Sequence, residues 1–118
     1  MRHRKANKKL GRPTDQRIAL LKNQVTQLLL HGKITTTEAK ARATKRLAEK
    51  TITIARAGDL HAKRQAREVV NNADAFKKLF AEIAPRFKDR PGGYVRMVKL
   101  PPRRGDATPM AMIMLAED

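Results

Sequence analysis

Arg86, Arg90, Arg96, Arg103 and Arg104 recur through the last third of the chain, interleaved with Gly92, Gly93, Tyr94 and Lys99. A guanidinium forks two hydrogen bonds onto a phosphate or stacks on a base, so this series suits ordered contacts to a nucleic acid. A second basic cluster opens the chain. Residues 1–17 hold seven Lys or Arg (Arg2, Arg4, Lys5, Lys8, Lys9, Arg12 and Arg17) with His3 among them and one acid, Asp15. Over 118 residues, 27 Lys and Arg face 11 Asp and Glu, a formal charge of +16. A body this small with that charge needs a polyanion, and nucleic acid is the default partner. The charge is uneven: net +6 over residues 1–17, +6 over 18–58, +1 over 59–85 and +3 over 86–118.

Other chemistry finds little to stand on. The chain has no cysteine and no serine, which removes disulfides, thiolate metal sites and serine or cysteine nucleophiles. His3, His31 and His61 match no zinc spacing, and Gly92-Gly93 lacks the context of a phosphate-cradling loop. Asp15, Glu38 and Asp59 stand at helix starts, where a structural role suffices, and no cluster of carboxylates suits a metal-dependent nuclease. No catalytic residue, metal, cofactor or small-molecule substrate is expected. The longest apolar run, Met110 to Ala116, is seven residues, far short of the ~20 that span a bilayer, so no membrane insertion is expected and the chain reads as cytoplasmic.

Lys33, Thr35 and Thr36 complete the candidate contacts, although helix capping accounts for the threonines without any partner. Tyr94 has two readings, a base-stacking ring or a strand residue packed on the core. Gly92-Gly93 is either a close approach of backbone to RNA or an ordinary turn. Lys40, Arg42, Lys45, Arg46 and Lys50 share the outer face of one helix, where RNA contact and plain solvation stand equal.

The elements that must carry these side chains follow from periodicity. Residues 1–13 lack it and read as an extended basic arm, ordered on a polyanion or merely solubilising. Thr14 as N-cap and the stripe Ile18, Leu21, Val25, Leu28, with Leu20 and Leu29 beside it, predict a helix ended by His31 and Gly32. Residues 33–36 read as a strand, and Thr35-x-x-Glu38 as a capping box that opens a helix to about Ala57. Ala39, Ala43, Leu47 and Ile54 mark its expected inner face. Asp59 caps a third helix to about Asn71, with Ala62, Ala66, Val69 and Val70 inward. Asn72 or Asp74 caps a fourth carrying Phe76, Leu79, Phe80 and Ile83, ended by Pro85. Tyr94 to Leu100 and Met110 to Ala116 are strands flanking a loop tipped by Arg103-Arg104. The expected architecture is a two-layer α+β fold: about four helices on a small mixed sheet of about three strands, one domain over 14–118 preceded by the arm.

These residues also form an ordered series. Met1-Arg2-His3-Arg4-Lys5, the block ending at Gly32, Ile34-Thr35-Thr36-Thr37, Gly58-Asp59-Leu60, Pro85-Arg86-Phe87, Gly92-Gly93-Tyr94, Arg103-Arg104-Gly105-Asp106 and Pro109-Met110-Ala111 follow one another across the chain. In this the sequence resembles the bacterial large-subunit ribosomal protein family L-seventeen along essentially its whole length. The resemblance implies a structural component of the large subunit that binds large-subunit ribosomal RNA and lies beside other ribosomal proteins near the peptide-exit side. Two other classes remain. A small DNA-binding or nucleoid protein would use the first two helices as a helix-turn-helix, against which stands the β-prone stretch between them. A ribonuclease or toxin would need a site that the residue inventory does not supply.

Overall fold

The structure, a computed structural model, describes residues 14–116, so the arm expected over 1–13 lies outside the described residues. Helix α1 spans Thr14–His31 and buries Leu21, Val25, Leu28 and Leu29 at helical spacing. Ile18 belongs to the same stripe by sequence, yet it is 43% exposed at the rim of a groove between α1 and the next helix. Gly32, at φ +83°, stops the helix and returns its N–H to Leu28 O at 2.8 Å. Only a residue at ease in the left-handed region fits that position.

Strand β1, Lys33–Thr37, follows at once and runs directly into α2, Glu38–Ala55. The expected capping box does not form. Thr37 is the N-cap, with no side-chain cap bond, and Glu38 occupies the first helical turn. Pairing in the sheet takes Thr35 to Thr37 as strand, and the Glu38 N–H goes to Pro109 O at 3.0 Å. The inner face of α2 is also displaced from the expected one. Ala41, Thr44, Ala48, Thr51, Ile52 and Ala55 are buried, whereas Ala39 is exposed and Ala43, Leu47 and Ile54 are half-buried. The reason lies in the threonines. Thr44 donates to Gln24 Oε1 at 2.6 Å and Thr51 to Leu47 O at 2.8 Å, so both hydroxyls enter the core already bonded. Each position along a helix turns the face by 100°, so scoring Thr as polar rotates the apparent stripe.

Helix α3, Leu60–Arg67, is capped by Asp59, whose carboxylate accepts from Ala62 N at 2.7 Å. It ends earlier than expected, while Val70 beyond it is buried. Asn72 caps α4, Ala73–Lys78, by accepting from Ala75 N at 3.0 Å. A π-helical stretch, Leu79–Ile83, and a final turn α5, Ala84–Arg86, continue the same rod, making a fourth helix in all but hydrogen-bond pattern. Pro85 therefore sits inside the rod rather than ending it. The Ala84 N–H already reaches back five residues to Leu79 O, and this widened turn precedes the position where proline has no donor to give. Phe76 and Phe80, with ring centroids 4.9 Å apart, are half-buried and pack against the core.

The sheet has the order β1-β3-β2, with β2 spanning Val95–Leu100 and β3 Met110–Leu115. Both ladders are antiparallel, where the sequence suggested a mixed sheet. The central β3 alternates without exception: Ala111, Ile113 and Leu115 are buried, while Met110, Met112 and Met114 are half-buried on the other face. The helices cover the first face, giving the two-layer α+β arrangement. One core cluster runs from Val25, Leu28 and Leu29 through Ile52, Leu79 and Ile83 to Phe87, Tyr94 and Ile113.

Candidate nucleic-acid interface

The glycine turn before β2 is held from α2 at both of its ends. Arg56 donates from Nη1 to the Tyr94 hydroxyl at 2.6 Å and from Nη2 to Lys88 O at 2.8 Å. Seven residues earlier on α2, the Glu49 carboxylate accepts from Tyr94 N at 3.2 Å and Val95 N at 3.0 Å. Between these anchors Gly93 adopts φ +68°, and a Cβ built there meets no atom within 4 Å, so backbone conformation rather than space calls for glycine.

Tyr94 itself is fully buried, its ring 5.3 Å from that of Phe87. Of its two readings the core one holds, and base stacking is closed to it. Thr36 is likewise withdrawn from the candidate contacts. It is buried, and its hydroxyl accepts from Gln24 Nε2 at 3.1 Å while Gln24 Oε1 accepts from Thr44, a chain that ties β1, α1 and α2 together. Arg86 is exposed and Arg90 half-buried, with guanidinium carbons 4.9 and 6.0 Å from the centre of the Phe87 ring.

The sheet brings Lys33 and Arg96 together. Both pair across Met114, one from each neighbouring strand, so they stand on the same face with Thr35 one step along from Lys33. With strands about 4.8 Å apart, their Cα atoms lie roughly 10 Å from each other. Lys99 pairs with Ala111 and so belongs to the opposite side of the sheet, where it is exposed. Arg17 is half-buried on α1. Arg2, His3, Arg4, Lys5, Lys8, Lys9 and Arg12 lie outside the described residues.

The largest addition to the candidate set is on α2. Arg42, Lys45 and Arg46 line a groove of about 540 Å³ together with Glu49, Gly93 and Met97. Arg46 also borders a second groove of about 300 Å³ on the other side, with Lys22, Lys50, Ile18 and Leu47. Arg42, Lys45, Arg46 and Lys50 thus form a basic ridge between two depressions, one of them bordered by Gly93 of the glycine turn. Their spacing marks a helix face in the sequence, but the approach of Gly93 to that face was not legible there. Arg42 is engaged by Glu38 in an exposed i, i+4 pair of the kind that contributes little to stability.

The loop joining β2 to β3 separates its two arginines. Arg103 binds the Asp106 carboxylate twice, Nη2 to Oδ2 at 2.7 Å and Nε to Oδ1 at 3.2 Å. Thr108 N also donates to Oδ1, at 3.2 Å. Arg103, followed by the Thr108 N–H, holds the Asp106 carboxyl well below the usual carboxylate range. Arg104 is exposed with no hydrogen-bond or ion-pair partner among the described residues. Among those residues no cluster of His, Asp or Glu can hold a metal ion. No described helix is long and apolar enough to cross a membrane.

A helix-turn-helix is not what joins α1 to α2. The intervening residues form β1, which is paired along its length with β3. Against known proteins, the pattern of the family described as Ribosomal protein L17 matches residues 20–116. The chain belongs to the ribosomal protein L17 family. The large ribosomal subunit protein bL17 of Thermoanaerobacter pseudethanolicus is 55% identical over 108 residues, 92% of this chain and 96% of that protein. The bL17 protein of Geobacter sulfurreducens is 50% identical over 118 residues, the whole of this chain and 67% of that longer protein. That of Clostridium perfringens strain 13 is 54% identical over 108 residues, again 92% and 96% of the two chains. Family membership thus extends over α1, the sheet, the α2 ridge and the arginine loop described above.

Proposed function

We propose that this protein is a structural constituent of the large ribosomal subunit in the cytoplasm. It supports translation by binding large-subunit ribosomal RNA through Lys and Arg, with no catalytic step of its own. Residues 14–118 act as one RNA-binding body, and the basic arm of residues 1–13 adds further phosphate contacts. Neighbouring ribosomal proteins near the peptide-exit side share its surroundings. The observation that carries the reading is the α2 ridge of Arg42, Lys45, Arg46 and Lys50, flanked by grooves and faced by Gly93, in a chain of charge +16. A ridge between depressions suits the uneven surface of folded RNA, with phosphates on the cations and the riboses and base edges against Leu47 and Met97.

The energy comes from phosphate neutralisation. Each cation that meets a phosphate releases condensed counterions, so affinity falls with the logarithm of salt by a slope of about 0.7 to 0.9 per phosphate. Arginines at Arg86, Arg90, Arg96 and Arg104 add direction by forking onto phosphates, while lysines act as point charges. The test is fractionation of cells on a sucrose gradient. Recovery in stoichiometric amount with large subunits after a moderate salt wash is the expected result. Recovery with the nucleoid, or free at the top of the gradient, overturns the reading.

A further inference from the structure

We propose that Asp106 is a positioning residue for RNA contact: by clasping Arg103 it sets the loop between β2 and β3 so that Arg104, of the two arginines, meets the phosphate. This rests on the RNA-binding reading above and divides a pair that looks equivalent in sequence.

The loop is built by itself. Arg103 N donates to Thr108 O at 2.8 Å and Ala107 N to Arg103 O at 2.9 Å, closing a short turn within residues 103–108. Gly105 at φ +96° and Ala107 at φ +54° both lie in the left-handed region, which is unfavourable for alanine. A conformation of that kind persists only where its surroundings over-determine it, and here the two-point Arg103–Asp106 pair and the Thr108 N–H to Asp106 bond do so. Arg103 is thereby held at two points, unlike the single contact of Arg42 with Glu38: two of its three guanidinium nitrogens face the Asp106 carboxylate, which fixes its direction. Arg104, next along the chain and exposed, keeps its fork free of any partner among the described residues. A carboxylate placed beside an RNA-binding arginine would by charge alone weaken the complex. Its presence in the loop makes sense if its effect on shape outweighs its effect on charge.

The two effects have opposite signs, which makes the test direct. Asp106→Asn removes one negative charge and releases Arg103, yet keeps Oδ1 to accept from Thr108 N. Affinity for in-vitro-transcribed large-subunit ribosomal RNA is measured across a series of KCl concentrations for the full chain and its variants. Arg104→Ala is expected to weaken binding about tenfold and to reduce the salt slope by roughly 0.7 to 0.9, the signature of one phosphate no longer neutralised. Asp106→Asn is expected to weaken binding as well, by roughly three- to tenfold, with a smaller slope despite the added positive charge. In the Arg104→Ala background the change of shape has nothing left to act on, so Asp106→Asn is expected to cause no further loss, and the removed negative charge alone can only favour binding. Unchanged or tighter binding by Asp106→Asn overturns the proposal while leaving RNA binding intact, as does an equal loss in the Arg104→Ala background. Salt-independent association of the unaltered chain overturns the RNA-binding reading and the proposal together.

Discussion

Arg56 Nη1 lies 2.6 Å from the Tyr94 hydroxyl, joining the end of α2 to the start of β2 across a separation of 38 residues. This basic residue therefore belongs to the scaffold and not to the surface that would meet RNA. Its other terminal nitrogen holds Lys88 O, and the buried Nε has no partner. Removing one end of such a link leaves the other unsatisfied, which matters more than the bond itself.

Tyr94→Phe is accordingly expected to destabilise the fold by about 1 to 2 kcal/mol, because Arg56 loses an acceptor where little water can replace it. Thermal unfolding should show a fall in Tm of roughly 4 to 8 °C per kcal/mol. The salt slope for RNA binding should not change, since the ring is buried. A reduced slope with an unaltered Tm would instead place Tyr94 at the interface.

Glu49→Ala raises the positive charge of the α2 face, and charge alone favours tighter RNA binding. Two backbone N–H groups at the start of β2 lose their acceptor, however. A loss of about 1 to 3 kcal/mol in stability is expected. Hydrogen exchange should quicken at Tyr94 and Val95, which is where the measurement should look.

Arg42→Ala combined with Lys50→Ala tests the ridge. Both side chains are exposed and the Arg42–Glu38 pair is worth little, so each change should shift stability by less than about 0.5 kcal/mol. The salt slope should drop by roughly 1.4 to 1.8, two phosphates' worth. A variant that binds RNA with the unaltered slope would remove the ridge from the interface.

Asp106 supplies a pH dependence whose sign is fixed. Its carboxyl is held below the usual range in the folded loop, so the clasp is present above the ordinary aspartate value of about 4 and is lost only as pH falls through the lower, folded value. A carboxyl-carbon NMR titration should find Asp106 still ionised at pH 4. In Arg103→Ala its midpoint should move up toward the ordinary value.

Deleting residues 2–12 removes six of the 27 basic side chains. RNA affinity and its salt slope are expected to fall together, with the thermal transition nearly unmoved. Collapse of folding on that deletion would make the arm part of the core.

Much of this protein follows from sequence because the deciding forces act within a few residues. Val25, Leu28 and Leu29 repeat at helical spacing, Gly32 supplies the left-handed stop, and Asp59 and Asn72 cap by bonding an N–H three residues on. The same locality explains the basic stripe on α2 and the concentration of charge at the amino end. Tertiary structure decided what depends on groups distant in the chain. The strand order β1-β3-β2 pairs residue 33 with 114 and 96 with 114, which no local period encodes. Thr44 could enter the core only because Gln24, 20 residues away, was there to accept its hydrogen bond. Tyr94 passed from candidate RNA ligand to core by meeting Phe87, Glu49 and Arg56. Arg103 and Arg104 are neighbours of one type, and composition treats them alike. Closure of the loop against Asp106 gives one of them a carboxylate and leaves the other open to solvent.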